Sequence, residues 1–351
     1  MTRARLRDLG IVVGDLPTGR HNAITDVGGV RVGHVTRIHD TPRTARTGVT
    51  VIVPRDEAAW ANNCAAGYHS FNGNGEMTGM AWLDESGMLV STIGLTNTHQ
   101  VGLVRDVLVA DAVENGYEGG WLLPVVAETY DGWLNDIDAF HLTADDVRAA
   151  LADASGGAVA EGNVGGGTGM NCHEFKGGIG TASRVITIQD EAYTVGVLVQ
   201  ANYGKRDRLR IHGVPVGQKI PYAHTPAPWP TPPPRSSIIV IVATDAPLLP
   251  VQCKRLARRA TIGLARVGGG EQNGSGDIFL AFATGNDFRA GEAAYRLKMV
   301  SHLQMDSLFT ATVEATEEAI LNALTAAETM TGFMGRTSHA LPLDALQRIM
   351  A

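Results

Sequence analysis

The sequence predicts a mixed α/β fold, and three observations carry that prediction. Short β-branched runs recur along the chain, amphipathic helical patterns fall between them, and glycine is abundant. Because strands and helices interleave, the class is mixed α/β and not two separate blocks. Glycine supplies 42 of 351 residues with no G-X-Y period. That is about 12% against roughly 7% on average, an excess that implies many tight turns and close backbone approaches.

In chain order, the runs at 30–36, 48–54, 89–95, 122–126, 184–189, 193–201, 237–244 and 278–284 read as strands. Several are apolar enough to be buried on both faces. The helical segments have clearer edges. Residues 98–114 place Val101, Val104, Leu108 and Ala112 on one face and stop at Asn115-Gly116. Thr143 precedes Asp146 by three, a capping-box-like start to a helix running to about Asp153. Residues 247–267 carry Leu248, Val251, Leu256, Ala260 and Leu264 on one stripe, with Lys254, Arg255, Arg258 and Arg259 mostly opposite. That basic cluster reads as a solvated face and not as a nucleic-acid site. Residues 301–327 read as one long helix or two consecutive ones.

Composition excludes several classes. The length suits one large domain or two ordinary ones. Lys and Arg total 29 against 36 Asp and Glu, a formal charge of −7. Mild acidity argues against a nucleic-acid coat or a polybasic membrane binder. No apolar run approaches the roughly 18 residues of a membrane span. The N-terminus has only a short apolar patch at 10–14, too short for a signal peptide. Cys64, Cys172 and Cys253 are widely spaced and odd in number, so they form neither a zinc pattern nor a disulfide framework. Each reads as a small buried hydrophobe, and a cytoplasmic location is expected.

One segment breaks the rhythm. Residues 225–235 read TPAPWPTPPPR, with six prolines in eleven positions. Proline removes donors and holds the chain extended, so an exposed, cleavable connector is expected there. Ser236-Ser237 follows at once and opens IIVIVATDAPLLP, an almost wholly apolar strand.

Common catalytic motifs fail. There is no GxxxxGK[ST] and no GxSxG. The stretch GNVGGGTG at 162–169 lacks GxGxxG spacing and reads as a backbone turn against the core, or else as a loop near a ligand. His34 and His173-Glu174 are isolated, and no histidine pair has metal-ligand spacing, so no metal site is expected. What remains is serine chemistry without a histidine partner. Ser237 opens one apolar strand, and Asn273-Gly274-Ser275-Gly276-Asp277 precedes another. A serine hydroxyl needs a base. A cut before Ser237 would free an α-amine beside that hydroxyl, and an α-amine with an ordinary pKa of about 7.7–8.0 accepts a proton near neutrality. Ser275 and Asp277, within reach of that amine, would orient it and steady its charged form. On these residues alone, Ser236-Ser237 equally well begins a strand and Ser275-Gly276 makes a turn.

Further stretches stand out at residues 22–34 (NAITDVGGVRVGH), 72–79 (NGNGEMTG), 124–136 (PVVAETYDGWLND) and 200–204 (QANYG). Together with 162–169, 237–250 and 274–286, they make the chain resemble, nearly end to end, the DmpA/BapA-like self-processing aminopeptidases of peptidase family S58. The resemblance implies a layered α/β/β/α sandwich in one domain, cut into an α chain of 1–236 and a β chain of 237–351. It implies Ser237 as nucleophile, with Ser275 and Asp277 beside it. Tyr130 and Asn202 match the oxyanion-stabilising positions, and Glu128 matches the carboxylate that grips a substrate's free amino group. A tetrahedral intermediate gathers charge on oxygen, for which a phenol and an amide are suitable neutral donors.

One departure stands out. Relatives commonly have glycine or asparagine before the nucleophile, where this chain has Ser236. Cutting at Arg235-Ser236 is the minor alternative. The resemblance further implies a homo-oligomer of αβ units acting on small peptides, amides or esters with a free amino group. Two rival readings stand beside this one: an acyltransferase on the same scaffold, and an uncleaved, non-catalytic assembly protein.

Overall fold

A computed structural model describes residues 3–229 and 236–351. Two β-sheets lie face to face, and helices cover their outer faces. The first half supplies β1 (Arg31–His39), β2 (Ala45–Val53), β3 (Asn62–Gly73), β4 (Met88–Leu89), β5 (Ile93–Asn97) and β6 (Val125–Thr129). A small hairpin follows, β7 (Asn171–Cys172) with β8 (Phe175–Lys176). The long strands β9 (Gly178–Ile188), β10 (Glu191–Asn202), β11 (Ser236–Thr244) and β12 (Ser275–Arg289) complete the main sheets. The helices are α1 (Met80–Ser86), α2 (Val101–Glu114), α3 (Ala144–Asp153), α4 (Pro250–Val267), α5 (Met305–Ala326) and α6 (Leu343–Met350).

One sheet has the order β1-β2-β5-β6, the other β4-β3-β12-β11-β10-β9. Period-2 alternation explains how these strands serve two cores at once. In β11, Ile239, Ile241 and Ala243 enter the layer between the sheets, while Ile238, Val240 and Val242 face α4 and α5. Val49, Val51 and Val126 of the smaller sheet pack outward against Val104, Leu108 and Val147 of α2 and α3. Four layers result: helix, sheet, sheet, helix.

The sequence expectations hold in outline and fail in instructive places. The run 89–95 is not one strand: β4 belongs to the larger sheet and β5 to the smaller. The strand at 62–73 escapes the sequence because its apolar residues are few and small. Gly67 in it lies against the α4 backbone, where a Cβ would come 2.5 Å from the Lys254 nitrogen. Val251 lies off the buried stripe of α4 and is exposed. Residues 305–326 form one continuous helix. The start of α3 is as expected: the Asp146 carboxylate accepts from the Thr143 N–H at 2.8 Å and from its hydroxyl at 2.9 Å.

Only the first part of the proline-rich segment, residues 225–229, is described, and it is partly buried. Residues 230–235 lie outside the described residues, but Thr225 and Pro228 are buried. Prolines leave carbonyls without neighbouring donors, and Arg206 meets that need by donating to the carbonyls of Thr225 and Pro226. Trp229 packs edge-on against Trp133, ring centroids 5.8 Å apart.

Candidate active site

The chemistry-bearing residues gather at one end of both sheets, for reasons of strand direction. β11 and β12 are parallel, so both begin there, with Ser236 opposite Ser275, Ser237 opposite Gly276 and Ile238 opposite Asp277. β10 is antiparallel to β11 and ends there, with Asn202 opposite Ser237. β6 of the other sheet ends close by with Glu128 and Thr129, and Tyr130 follows. Ser237, Glu128, Tyr130, Asn74, Thr98, His99 and Ser236 line one open cavity of about 500 Å³.

Alternation divides the site into two faces. Ser237 follows the parity of Ile239 and Ile241, so its side chain points to the inter-sheet side, and it lines the same cavity as Glu128 and Tyr130. Directly opposed residues of an antiparallel pair share a face, which puts Asn202 on that side too. Ser275 and Asp277 follow the parity of Phe279 and Ala281, on the helix side. They therefore meet not the Ser237 hydroxyl but the residue before it. The Ser236 hydroxyl donates to Ser275 Oγ at 2.9 Å, and the Ser275 hydroxyl donates to Asp277 Oδ1 at 2.6 Å. β11 runs unbroken through Ser236 and Ser237, so this is the arrangement of the uncut chain.

Asp277 is almost wholly inaccessible. Burial pushes its carboxyl up to about 6, against the pull of the Ser275 hydroxyl and the Ile238 N–H. Glu128 is likewise buried, with Oε1 accepting from the Glu76 N–H at 3.0 Å and Oε2 from the Thr98 hydroxyl. These donors hold the carboxylate at the cavity wall. Asn202 accepts from the Asn171 N–H at 2.8 Å and donates to the Tyr130 carbonyl at 2.9 Å. The amide plane is thus set, and the Tyr130 backbone is tied to it.

Sequence reasoning missed the supports. Lys176 is fully buried and donates to the carbonyls of Met170 at 2.8 Å and Gly177 at 2.7 Å, with a longer contact to Gly167. Burial lowers its ammonium to about 7. It ties the glycine-rich turn to the β7–β8 hairpin, which carries the Asn171 N–H. The turn itself solves a steric problem: a Cβ on Gly166 would meet Gln200 Oε1 at 2.1 Å. Gln200 in turn joins the two sheets, donating to the Thr96 carbonyl and the Thr129 hydroxyl. A lone lysine in FKGG and a lone threonine at 98 carry no periodicity or motif that would have marked them.

A family model described as "Peptidase family S58" matches residues 22–338. The chain belongs to peptidase family S58. Among the relatives of this S58 peptidase, the Beta-peptidyl aminopeptidase BapA of Sphingosinicella microcystinivorans is 45% identical, covering 99% of this chain and 91% of that one. A solved beta-aminopeptidase from Burkholderia sp. superposes with a TM-score of 0.92 at 52% identity, covering 99% and 98% of the two chains. The L-aminopeptidase D-Ala-esterase/amidase of Ochrobactrum anthropi, described as a variant of the Ntn hydrolase fold, gives 0.91 at 44% identity over the same shares. The layered α/β/β/α architecture is therefore that of the DmpA-type Ntn hydrolases. Membership also carries the activity: this S58 peptidase is a self-activating N-terminal-serine hydrolase that releases amino acids from peptides and esters.

Proposed function

We propose that Ser237 is the nucleophile, exposed as a new N-terminus when the chain cuts itself between Ser236 and Ser237. The observation that carries this reading is the convergence of Ser237 with Glu128 and Tyr130 on one cavity at the shared strand ends. In self-cleavage the Ser237 oxygen bonds to the Ser236 carbonyl carbon as the C–N bond breaks, and the hydroxyl proton ends on the departing nitrogen. Water then splits the ester, which leaves a Ser236 carboxylate and a Ser237 with free hydroxyl and amine.

In turnover the Ser237 amine takes the hydroxyl proton while the oxygen attacks a substrate carbonyl. Ser275 and Asp277 orient that amine from the helix side, and Asp277 compensates its positive charge. The Tyr130 hydroxyl and Asn202 amide stabilise the oxyanion. Glu128 pairs with the substrate's ammonium, which explains release from the amino end. Water resolves the acyl-enzyme. No cofactor enters the scheme. The substrates are small peptides, amides or esters with a free amino group, and the β-aminopeptidase relatives make β-amino N-termini the first class to assay.

The same proposal includes a homo-oligomer of αβ units, supported by the exposed Val113 and by the exposed Trp121, which packs edge-on against Trp82. It also includes a cytoplasmic site, supported by three buried free thiols. A denaturing gel and intact-mass measurement test the core of it. The parent chain should give fragments of residues 1–236 and 237–351, and Ser237→Ala should give one uncut chain without turnover. A Ser237→Ala protein that still hydrolyses amino-acid p-nitroanilides would sink the assignment.

A further inference from the structure

We propose that Ser236 is a positioning residue for self-cleavage, its hydroxyl holding in the uncut chain the place on Ser275 that the new Ser237 ammonium takes after scission. This rests on the reading of Ser237 as nucleophile and deepens it.

The polarity of the hydrogen-bond chain carries the inference. Ser236 donates to Ser275, and Ser275 donates to the buried Asp277, so Ser275 has its proton committed inward and a lone pair turned toward residue 236. The Ser236 hydroxyl donates to that acceptor before the cut, and an N–H of the new amino terminus donates to it afterwards. Until then the bond pins the half-buried residue 236 from the helix side. The Ser237 hydroxyl sits on the opposite face, toward the cavity. The scissile carbonyl is held between the two, so the side chain on one face fixes the target of the hydroxyl on the other. Glycine or alanine at 236 would lose this tether. Ser275 would then have an unfilled acceptor in a buried site, and residue 236 would sample more orientations.

The test follows scission in time on the full chain. Parent, Ser236→Ala and Ser236→Thr are made by cell-free translation, and the uncut fraction is chased on a denaturing gel, with intact mass reporting the scission point. Ser236→Ala should slow first-order scission about five-fold, the rate equivalent of one neutral hydrogen bond. Ser236→Thr, which keeps the hydroxyl, should cut within about two-fold of the parent on the same scale. Ser236→Ala cutting as fast as the parent overturns the proposal, and so does Ser236→Thr cutting as slowly as Ser236→Ala. Melting is compared in the Ser237→Ala background, where neither chain is cut. A drop of more than about 4 °C on adding Ser236→Ala would assign the slowing to folding and also overturn it. A parent fragment beginning at any residue other than Ser237 refutes the nucleophile reading instead, by mass and independently of the rates.

Discussion

Replacing Asp277 by asparagine should make the uncut protein more stable and the enzyme inactive. The carboxyl is raised from 3.8 to about 6 by burial. At roughly 1.4 kcal/mol per pKa unit, holding it ionised in the folded state costs about 3 kcal/mol above pH 6. Asparagine removes the charge and keeps an acceptor for the Ser275 hydroxyl. It cannot serve both the Ser275 hydroxyl and the Ile238 N–H as well as a carboxylate does, and one weakened hydrogen bond costs about 1 kcal/mol. The net gain at pH 8 is then about 2 kcal/mol. The sign with pH follows from the raised value. Between about pH 4 and 6 the folded state holds a proton that the unfolded chain has released, so the parent loses stability as pH rises through this window. Asparagine has no such loss, and the advantage should vanish by about pH 4. The assay is urea denaturation of Ser237→Ala with and without Asp277→Asn, at pH 4 and pH 8, where both chains are uncut. Equal stability at pH 8, or a gain that does not change with pH, would refute the reasoning. With Ser237 present, Asp277→Asn should lack measurable turnover.

Asn202→Ala and Tyr130→Phe should each lower kcat by about 100-fold or more, with KM within about three-fold, in steady-state assays on matured enzyme. Because the Asn202 amide also ties the Tyr130 backbone, the double variant should fall short of the product of the two losses. Glu128→Gln should lower kcat/KM for free-amine substrates by about 10- to 100-fold, the worth of a charge-assisted contact. It should leave the rate on an N-acetylated ester unchanged, and an equal loss on both substrates would remove Glu128 from amino-group recognition.

Local patterns made parts of this molecule readable in advance. Residues 237–244 carry their burial in an unbroken apolar run, and α3 carries its own start in Thr143 and Asp146. The segment 301–327 reads as helical but leaves one helix or two open, because nearly every residue from 308 to 325 is buried and no exposed face keeps a period. The strand at 62–73 was opaque because its small and polar residues answer to α4 packed on it, not to any period of their own. The division of 89–95 between two sheets was equally hidden, since one apolar run reads alike whichever core receives it.

The same split governs the site. The residue types alone supplied a serine at the mouth of a buried strand, a Ser-x-Asp beside a second one, and the idea of an amine as base. Long motif matches added Glu128, Tyr130 and Asn202. The fold decided which of these meet and on which face. Parallel pairing of β11 with β12 put Ser275 next to Ser236, and pleat parity sent the Ser237 hydroxyl to the other side. Nor could sequence find Thr98 or Lys176, whose importance comes from the carboxylate and carbonyls that distant segments bring to them. The chain by itself determined the chemistry available, because side-chain type fixes what can donate, accept or attack. Tertiary structure alone decided the partners, because strand register and burial are properties of segments far apart in sequence.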